Sequence, residues 1–285
     1  MLASSSFITR ALMIAALCML SACSVKTVYN NLDSLIIEYV DDMFTLDDPL
    51  ESEVSERAAA LIAWHREDQL DDYTQLLREL QQDFGPDVSV ETLERRTDTL
   101  RSFWYALKHR LDEDMVVVLS QLDSEQRSEL YASLEDRNRS YREDYVDIDE
   151  EERIESLEES VSDAFEDWLG DLTDEQQRLI QPAVNKMQSS ASGRVRAREI
   201  WQREVSRILE SPDDITEKQQ ALRAYLTGFD SNDHEGVKGS FEINRTVIAT
   251  LTRDIIVLAD EEQREHFIEK TDEYIEIFEE LRQDQ

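Results

Sequence analysis

Glycine and proline are scarce in this chain, six and four among 285 residues, where average usage of roughly 7% and 5% would supply several times more. That scarcity disfavours collagen-like, loop-rich and many-turned β architectures and favours helix. Basic residues are also in short supply: 30 Lys and Arg stand against 65 Asp and Glu, for a formal net charge of −35. Binding a phosphate backbone needs a basic face that releases counterions, so nucleic acid is not an expected partner. Cysteine (two) and histidine (four) are rare as well. Hydrophobic residues nevertheless make up 40% of the chain, enough for a substantial core, so the charge does not imply wholesale disorder.

The N-terminus supplies what the rest of the chain lacks, an apolar run. Arg10 precedes ten apolar residues from Ala11 to Leu20, followed by the small pair Ser21-Ala22. This is the pattern of a secretory signal, shorter than the roughly 20 apolar residues of a spanning helix. Leu20-Ser21-Ala22-Cys23 resembles the bacterial lipobox. That resemblance implies cleavage before Cys23 and acylation at Cys23, whose thiolate is the nucleophile that takes the lipid. Residues 1–22 are then the signal peptide, 23–30 a lipidated tether, and 31–285 a single acidic helical domain, with a candidate boundary at 211–214. Cys18 leaves with the signal and Cys23 is consumed by lipid, so no intrachain disulfide is expected. Ser24, rather than Asp, follows the cysteine, which in Gram-negative lipoproteins implies the outer membrane, with the domain facing the periplasm. Three acyl chains would anchor far more firmly than the single chain of a myristoylated protein.

Beyond the tether, apolar residues recur at three- and four-residue steps almost without interruption, which is the helical period. The expected fold is all-α, an elongated bundle of about eight to ten helices. Asp48, as N-cap before Pro49 and three residues before Glu51, predicts a helix running to Phe84, where Gly85-Pro86 stops it. The next carries Leu93, Leu100, Trp104, Leu107, Leu111, Met115 and Val118 on one stripe. Later stripes are Leu130, Leu134, Tyr141 and Tyr145, then Ile154 to Trp168, then a C-terminal pair from Phe241 to Leu258 and Phe267 to Leu281. Four segments share one form, an aliphatic or alanine followed by Asp or Thr and, three later, Gln: they end at Gln126, Gln176, Gln219 and Gln263. This is capping-box chemistry, in which the Asp or Thr accepts a backbone N–H and the Gln reaches back.

Leu172-Thr173-x-x-Gln176 also resembles the repeated element of small periplasmic chaperones of the Spy and CpxP kind, which form curved helical dimers. A broader resemblance covers most of the mature chain. Tyr29-Asn30-Asn31-Leu32-Asp33, Asp41-Asp42-Met43-Phe44-Thr45-Leu46-Asp47, Trp64-His65-Arg66 with Leu70 and Tyr73, and Arg137-Asn138 with Tyr141-Arg142 and Tyr145 are similar to an uncharacterised family of Gram-negative lipoproteins. The family usually has paired aromatics where this chain has Glu38-Tyr39, and Pro where it has Asp71. The resemblance implies an all-helical fold and a lipid-anchored location, and brings no active site with it.

Motifs that carry catalysis are missing. The residues three before His65, His109, His234 and His266 are Ile62, Ala106, Ser231 and Gln263, so no Glu-x-x-His pair of a di-iron bundle occurs. There is no His-Glu-x-x-His, no nucleophile elbow, and no phosphate-cradling glycine loop. Asp230 to Phe241 imitates a calcium loop but has Glu235 at the sixth place and Phe241 at the twelfth, which excludes it. The expectation is a non-enzyme with no catalytic, cofactor or metal residues and no cofactor.

Two groups stand out as candidates. His65 and Arg66, with Arg137 and Asn138, are expected to form a buried polar cluster, and a buried Arg or Asn requires a partner, an acidic one from a neighbouring helix being expected. Between Ala183 and Glu210, six basic residues (Lys186, Arg194, Arg196, Arg198, Arg203, Arg207) face three acidic ones. This island either answers acidic faces within the fold or docks an anionic partner, with the five arginines as its residues. The reading is an envelope scaffold or partner-binding module held to the membrane through acyl chains on Cys23. A chaperone-like stress-response role and a cryptic hydrolase are the alternatives.

Overall fold

The structure, a computed structural model, describes residues 22–283. Every regular element among them is helical, as the apolar period predicts. In order they are α1 (Ala22–Tyr29), α2 (Leu32–Asp41), α3 (Asp48–Trp64), a π-helical turn (His65–Gln69), α4 (Leu70–Asp83), α5 (Val90–Gln121), α6 (Ser124–Tyr145), α7 (Glu150–Leu169), α8 (Asp174–Val184), α9 (Ala191–Leu209), α10 (Ile215–Gly228), a 3-10 turn (Ser231–Asp233), α11 (Lys238–Val257) and α12 (Glu261–Gln283). The segment expected as a signal peptide falls almost wholly outside the described residues. The segment expected as a tether is helical, with Cys23 at the second position of α1.

The caps follow the sequence closely, with two shifts. The α3 cap is Asp47, not Asp48: its backbone is extended (φ −86°, ψ 161°) and its carboxylate accepts the Leu50 N–H at 3.1 Å. Asp48 is already helical, which puts Pro49 one place further in. Asp123–Gln126 and Thr173–Gln176 form complete capping boxes. At α10 the box is Asp214–Glu217 rather than Thr216–Gln219, because Asp214 is the residue with extended backbone. Gln219 instead donates to the Ser120 hydroxyl at 3.0 Å. The helix opened at Asp47 continues through the π turn into α4 and ends at Asp83, beside the expected stop at Gly85-Pro86. A π turn inserts a residue into the helical repeat, which the apolar period of this segment does not signal.

The chain divides into two compact units, each built from three stretches. The first comprises residues up to 66, 104–146 and 191–234; the second comprises 67–103, 147–190 and 235 onwards. The Ser211 to Asp214 segment, marked in the sequence as a candidate boundary, lies inside the first unit. In that unit Phe44, Leu50, Val116, Leu119, Leu130, Val205, Leu209, Leu222 and Leu226 form the main core. Here α2 packs on α3, and α9 packs on both α6 and α10. In the second unit α12 lies against α4 and α7, and α8 against α7 and α11. Its core gathers Phe84, Leu169, Ile180, Val184, Leu251, Ile255 and Phe267, with Phe84 and Phe267 stacked at 4.5 Å.

One stripe departs from expectation. On α5, Leu100 and Trp104 are 54% and 50% exposed, whereas Asp112 and Asp114 are buried. The carboxylates are tolerated because cations meet them. Lys108 Nζ donates to Asp112 at 2.6 Å and to the Leu226 carbonyl at 3.0 Å. Arg57 and Arg110 both donate to Asp114 Oδ1.

Candidate functional site

Apart from Lys186, the residues singled out from the sequence fall into three settings, all within the first unit. The first is the end of α3. His65 opens the π turn, edge-on to the half-buried Trp64 (6.4 Å, 70°). Its Nδ1 lies 3.0 Å from the Tyr29 hydroxyl of α1, and the Arg66 guanidinium stands over the Tyr29 ring at 5.6 Å. Burial favours the neutral imidazole and lowers the His65 pKa from 6.5 to about 4. Burial likewise raises that of Tyr29, with Arg66 opposing it. The role of this cluster is legible from its members: it fixes the helix that carries Cys23 to the body of the unit.

The second setting is the seam between α6 and α9. Asn138 is buried, as expected, but its partner is a neutral amide. It donates to Gln202 Oε1 at 2.6 Å, and Gln202 returns a longer bond at 3.4 Å. The expected acid occurs one turn along, where Glu199 pairs with Arg142. A neutral partner satisfies Asn138 without burying a charge, which is the less costly arrangement. Arg137 is half-buried and lies over the ring of Tyr39, on α2, at 5.0 Å, with its Nε donating to the Ser133 hydroxyl. His65 and Arg66 thus gather on Tyr29, while Arg137 gathers on Tyr39 and Asn138 on Gln202. The residues expected as one cluster have three separate sets of neighbours.

The third setting is α9 itself, where the basic island divides by helical face. Arg196, Arg203 and Arg207, at steps of seven and four, share the outer face and are exposed. Ile200 lies between them at 39% exposure. Arg207 is paired with Glu204 on its own helix. Arg194 and Arg198 turn inward and are half-buried. Arg198 stacks on the Tyr141 ring at 4.2 Å, and Tyr141 continues to Tyr145 at 4.8 Å. Burial lowers the Arg198 pKa, the Tyr141, Tyr39 and Tyr145 hydroxyls opposing it and Arg194 adding to it. Lys186, the sixth basic residue, is exposed at the end of α8, in the second unit.

The tyrosines are what sequence reasoning passed over. Tyr29, Tyr39 and Tyr141 were visible as aromatic positions, but nothing in the apolar period marks a ring as the seat of a guanidinium. Elsewhere, the second unit has an open groove of about 480 Å³, lined by the apolar Pro86, Val88, Leu179, Val257 and Leu258 and by the charged Asp87, Arg253 and Asp254. Asp230, the first residue of the rejected calcium loop, caps the 3-10 turn through the Asn232 N–H and accepts from the Tyr105 hydroxyl at 2.5 Å. Among the described residues no group of three or more His, Cys, Asp and Glu is placed to hold a metal ion. Among them, too, no helix is long and apolar enough to cross a membrane.

No curated protein and no solved structure matches the chain. A family model does, over residues 38–230, from within α2 to the start of the 3-10 turn, a span that contains the Arg137–Tyr39 and Arg198–Tyr141 stacks and both faces of α9. The chain belongs to DUF6279, a family of unknown function.

Proposed function

We propose that this protein is a non-catalytic, lipid-anchored lipoprotein of the Gram-negative envelope that docks an acidic protein partner along the outer face of α9. The observation that carries the reading is the exposed row Arg196, Arg203 and Arg207 around Ile200. In a chain of net charge −35, the surrounding field repels acidic proteins, so a basic row with an apolar centre gives an acidic partner one favourable place to settle. An exposed isoleucine flanked by arginines supplies the desolvated centre and the charged rim of a small interface.

The anchor is the second part of the proposal. The lipobox resemblance puts the acyl chains on Cys23, six residues before Tyr29, and Tyr29 rests against His65. Six helical residues span only ~9 Å, so the body of the unit would be held close to the membrane rather than on a long leash. The outer membrane, periplasm-facing, is the location we propose, on the strength of Ser24 after the cysteine.

The test is in-cell photo-crosslinking from position 203, with the native N-terminus in place. One discrete adduct, lost when Arg196 is replaced by Glu, is expected. A broad ladder of adducts would point to chaperone-like binding, and no adduct would remove the docking surface. Separately, Cys23→Ala is expected to abolish palmitate incorporation and release the protein from membranes. Retained label would refute the anchor.

A further inference from the structure

The inner face of α9 raises a different question from the outer one. Arg198 is half-buried, and the groups that act on it are three tyrosines and another arginine; no carboxylate is among them. Arg137 is likewise half-buried, with a hydroxyl and a ring as its neighbours. In a chain with 65 acidic residues this is an unusual environment. The neighbouring carboxylate, Glu199, is already taken by Arg142. Stacking at 4.2 Å and 5.0 Å covers one π face of each guanidinium. The covered face cannot be hydrated, while the in-plane N–H groups stay available for acceptors.

Tyr39 joins the two. Its ring lies beneath Arg137, and its hydroxyl is near enough to act electrostatically on Arg198. Two half-buried guanidinium forks thus lie on neighbouring tyrosine rings, Arg137 on Tyr39 and Arg198 on Tyr141, with Tyr145 continuing the aromatic floor. Partial desolvation of an unneutralised cation is costly, and an anion lying between the forks would remove that cost.

We infer that Arg137 and Arg198, with Tyr39 and Tyr141, form a binding site for a compact oxyanion, a phosphate or carboxylate group of a small molecule. Planar forks match these oxygens with paired, charge-assisted hydrogen bonds. The net charge of the protein repels extended polyanions, so the ligand is small, and the tyrosines offer its body a ring to lie against. The site is distinct from the outer face of α9, and neither depends on the other.

The experiment is a thermal-stability titration of the purified full-length protein as the cell produces it, with inorganic phosphate and with citrate. Sodium chloride at matched ionic strength serves as the control, because salt alone relieves repulsion in so acidic a chain. The site predicts a saturable rise in melting temperature beyond the chloride control, with at least tenfold weaker apparent affinity in Arg198→Lys and in Arg137→Gln. Arg198→Lys keeps the charge and loses the fork, so it separates recognition from simple charge. Arg139→Gln, exposed on α6 and part of neither surface, is expected to respond as the wild type does. A response to phosphate alone assigns a phosphoryl ligand, and a response to citrate alone assigns a carboxylate. A response equal to that of chloride, or one unchanged in both Arg198→Lys and Arg137→Gln, overturns the site. Should Arg198→Lys fail to fold, Arg137→Gln decides.

Discussion

The side-chain amides of Gln176 and Gln263 bond to each other in both directions, at 2.8 and 2.9 Å, inside the second unit. Each is the last residue of a five-residue helix-start segment of the same form, and each is buried. Gln176 also accepts the Thr173 N–H of its own capping box and donates to the Ile255 carbonyl. Gln263 also donates to the Asp171 carbonyl, and its N–H is capped by Asp260. Two capping residues therefore pin the starts of α8 and α12 together, so what sequence spacing presents as separate local motifs is one tertiary contact.

Removing either amide leaves several buried donors and acceptors unpaired, at about 1–3 kcal/mol for each group left so. Gln176→Ala is expected to destabilise the protein by roughly 3 kcal/mol, and Gln263→Ala by a similar amount. In a double-mutant cycle by urea denaturation the two should couple by about 1–3 kcal/mol, with the pair costing less than the sum. Additive losses would mean that the two amides act independently.

The cap of α3 permits a sharper test, because two adjacent aspartates compete for it. Asp47 accepts the Leu50 N–H, while Asp48 is inside the helix. Asp47→Ala is expected to cost ~1 kcal/mol. Asp48→Ala loses no capping bond and should change stability by less than about 0.5 kcal/mol. Equal effects in thermal melts would contradict the placement of the cap.

On α5 the exposed pair Leu100 and Trp104 reverses the usual expectation for large apolar residues on a helical stripe. Trp104→Ala in a packed core would cost about 3–5 kcal/mol. At half exposure the expected loss is roughly 1 kcal/mol or less. Leu100→Gln should be closer still to neutral. Melting temperatures of the two variants read this directly, and a core-sized loss for Trp104→Ala would place it in a packed interior instead.

These cases show where the sequence was legible and where it was not. Helix class, most helix ends and the main apolar stripes follow from period and punctuation, because local hydrogen bonding and one-sided burial dictate them. The Asp47 cap and the Asp214 box were misplaced by one and two residues, since neighbouring Asp and Thr side chains offer the same acceptor. The buried face of α5 was misread because Lys108, Arg57 and Arg110 neutralise Asp112 and Asp114 from other turns and another helix. Of the candidate sites, the arginines of α9 were identifiable by charge. Their division into Arg196, Arg203 and Arg207 outside and Arg194 and Arg198 inside depends on α9 packing against α6, and the Tyr39 platform on contact across elements nearly 100 residues apart in the chain.

The Tyr29–His65 contact makes stability depend on pH with a definite sign. In the fold, burial keeps the imidazole neutral down to a pH of about 4, while the unfolded chain takes up that proton near 6.5. Above pH 6.5 both states are neutral and the contribution is fully present. Between 6.5 and 4 only the unfolded chain binds the proton, so stability falls with pH, and below 4 the loss levels off. The displacement corresponds to about 3 kcal/mol at most. Protonation of the many carboxylates also changes stability across this range, so the informative quantity is the wild type minus His65→Gln, each measured by urea denaturation at pH 7, 5.5 and 4. That difference should shrink steadily as pH falls, because the variant has no imidazole to protonate. A difference that stays constant from pH 7 to 4 would mean that His65 protonates equally readily in both states, and so is not buried against Tyr29.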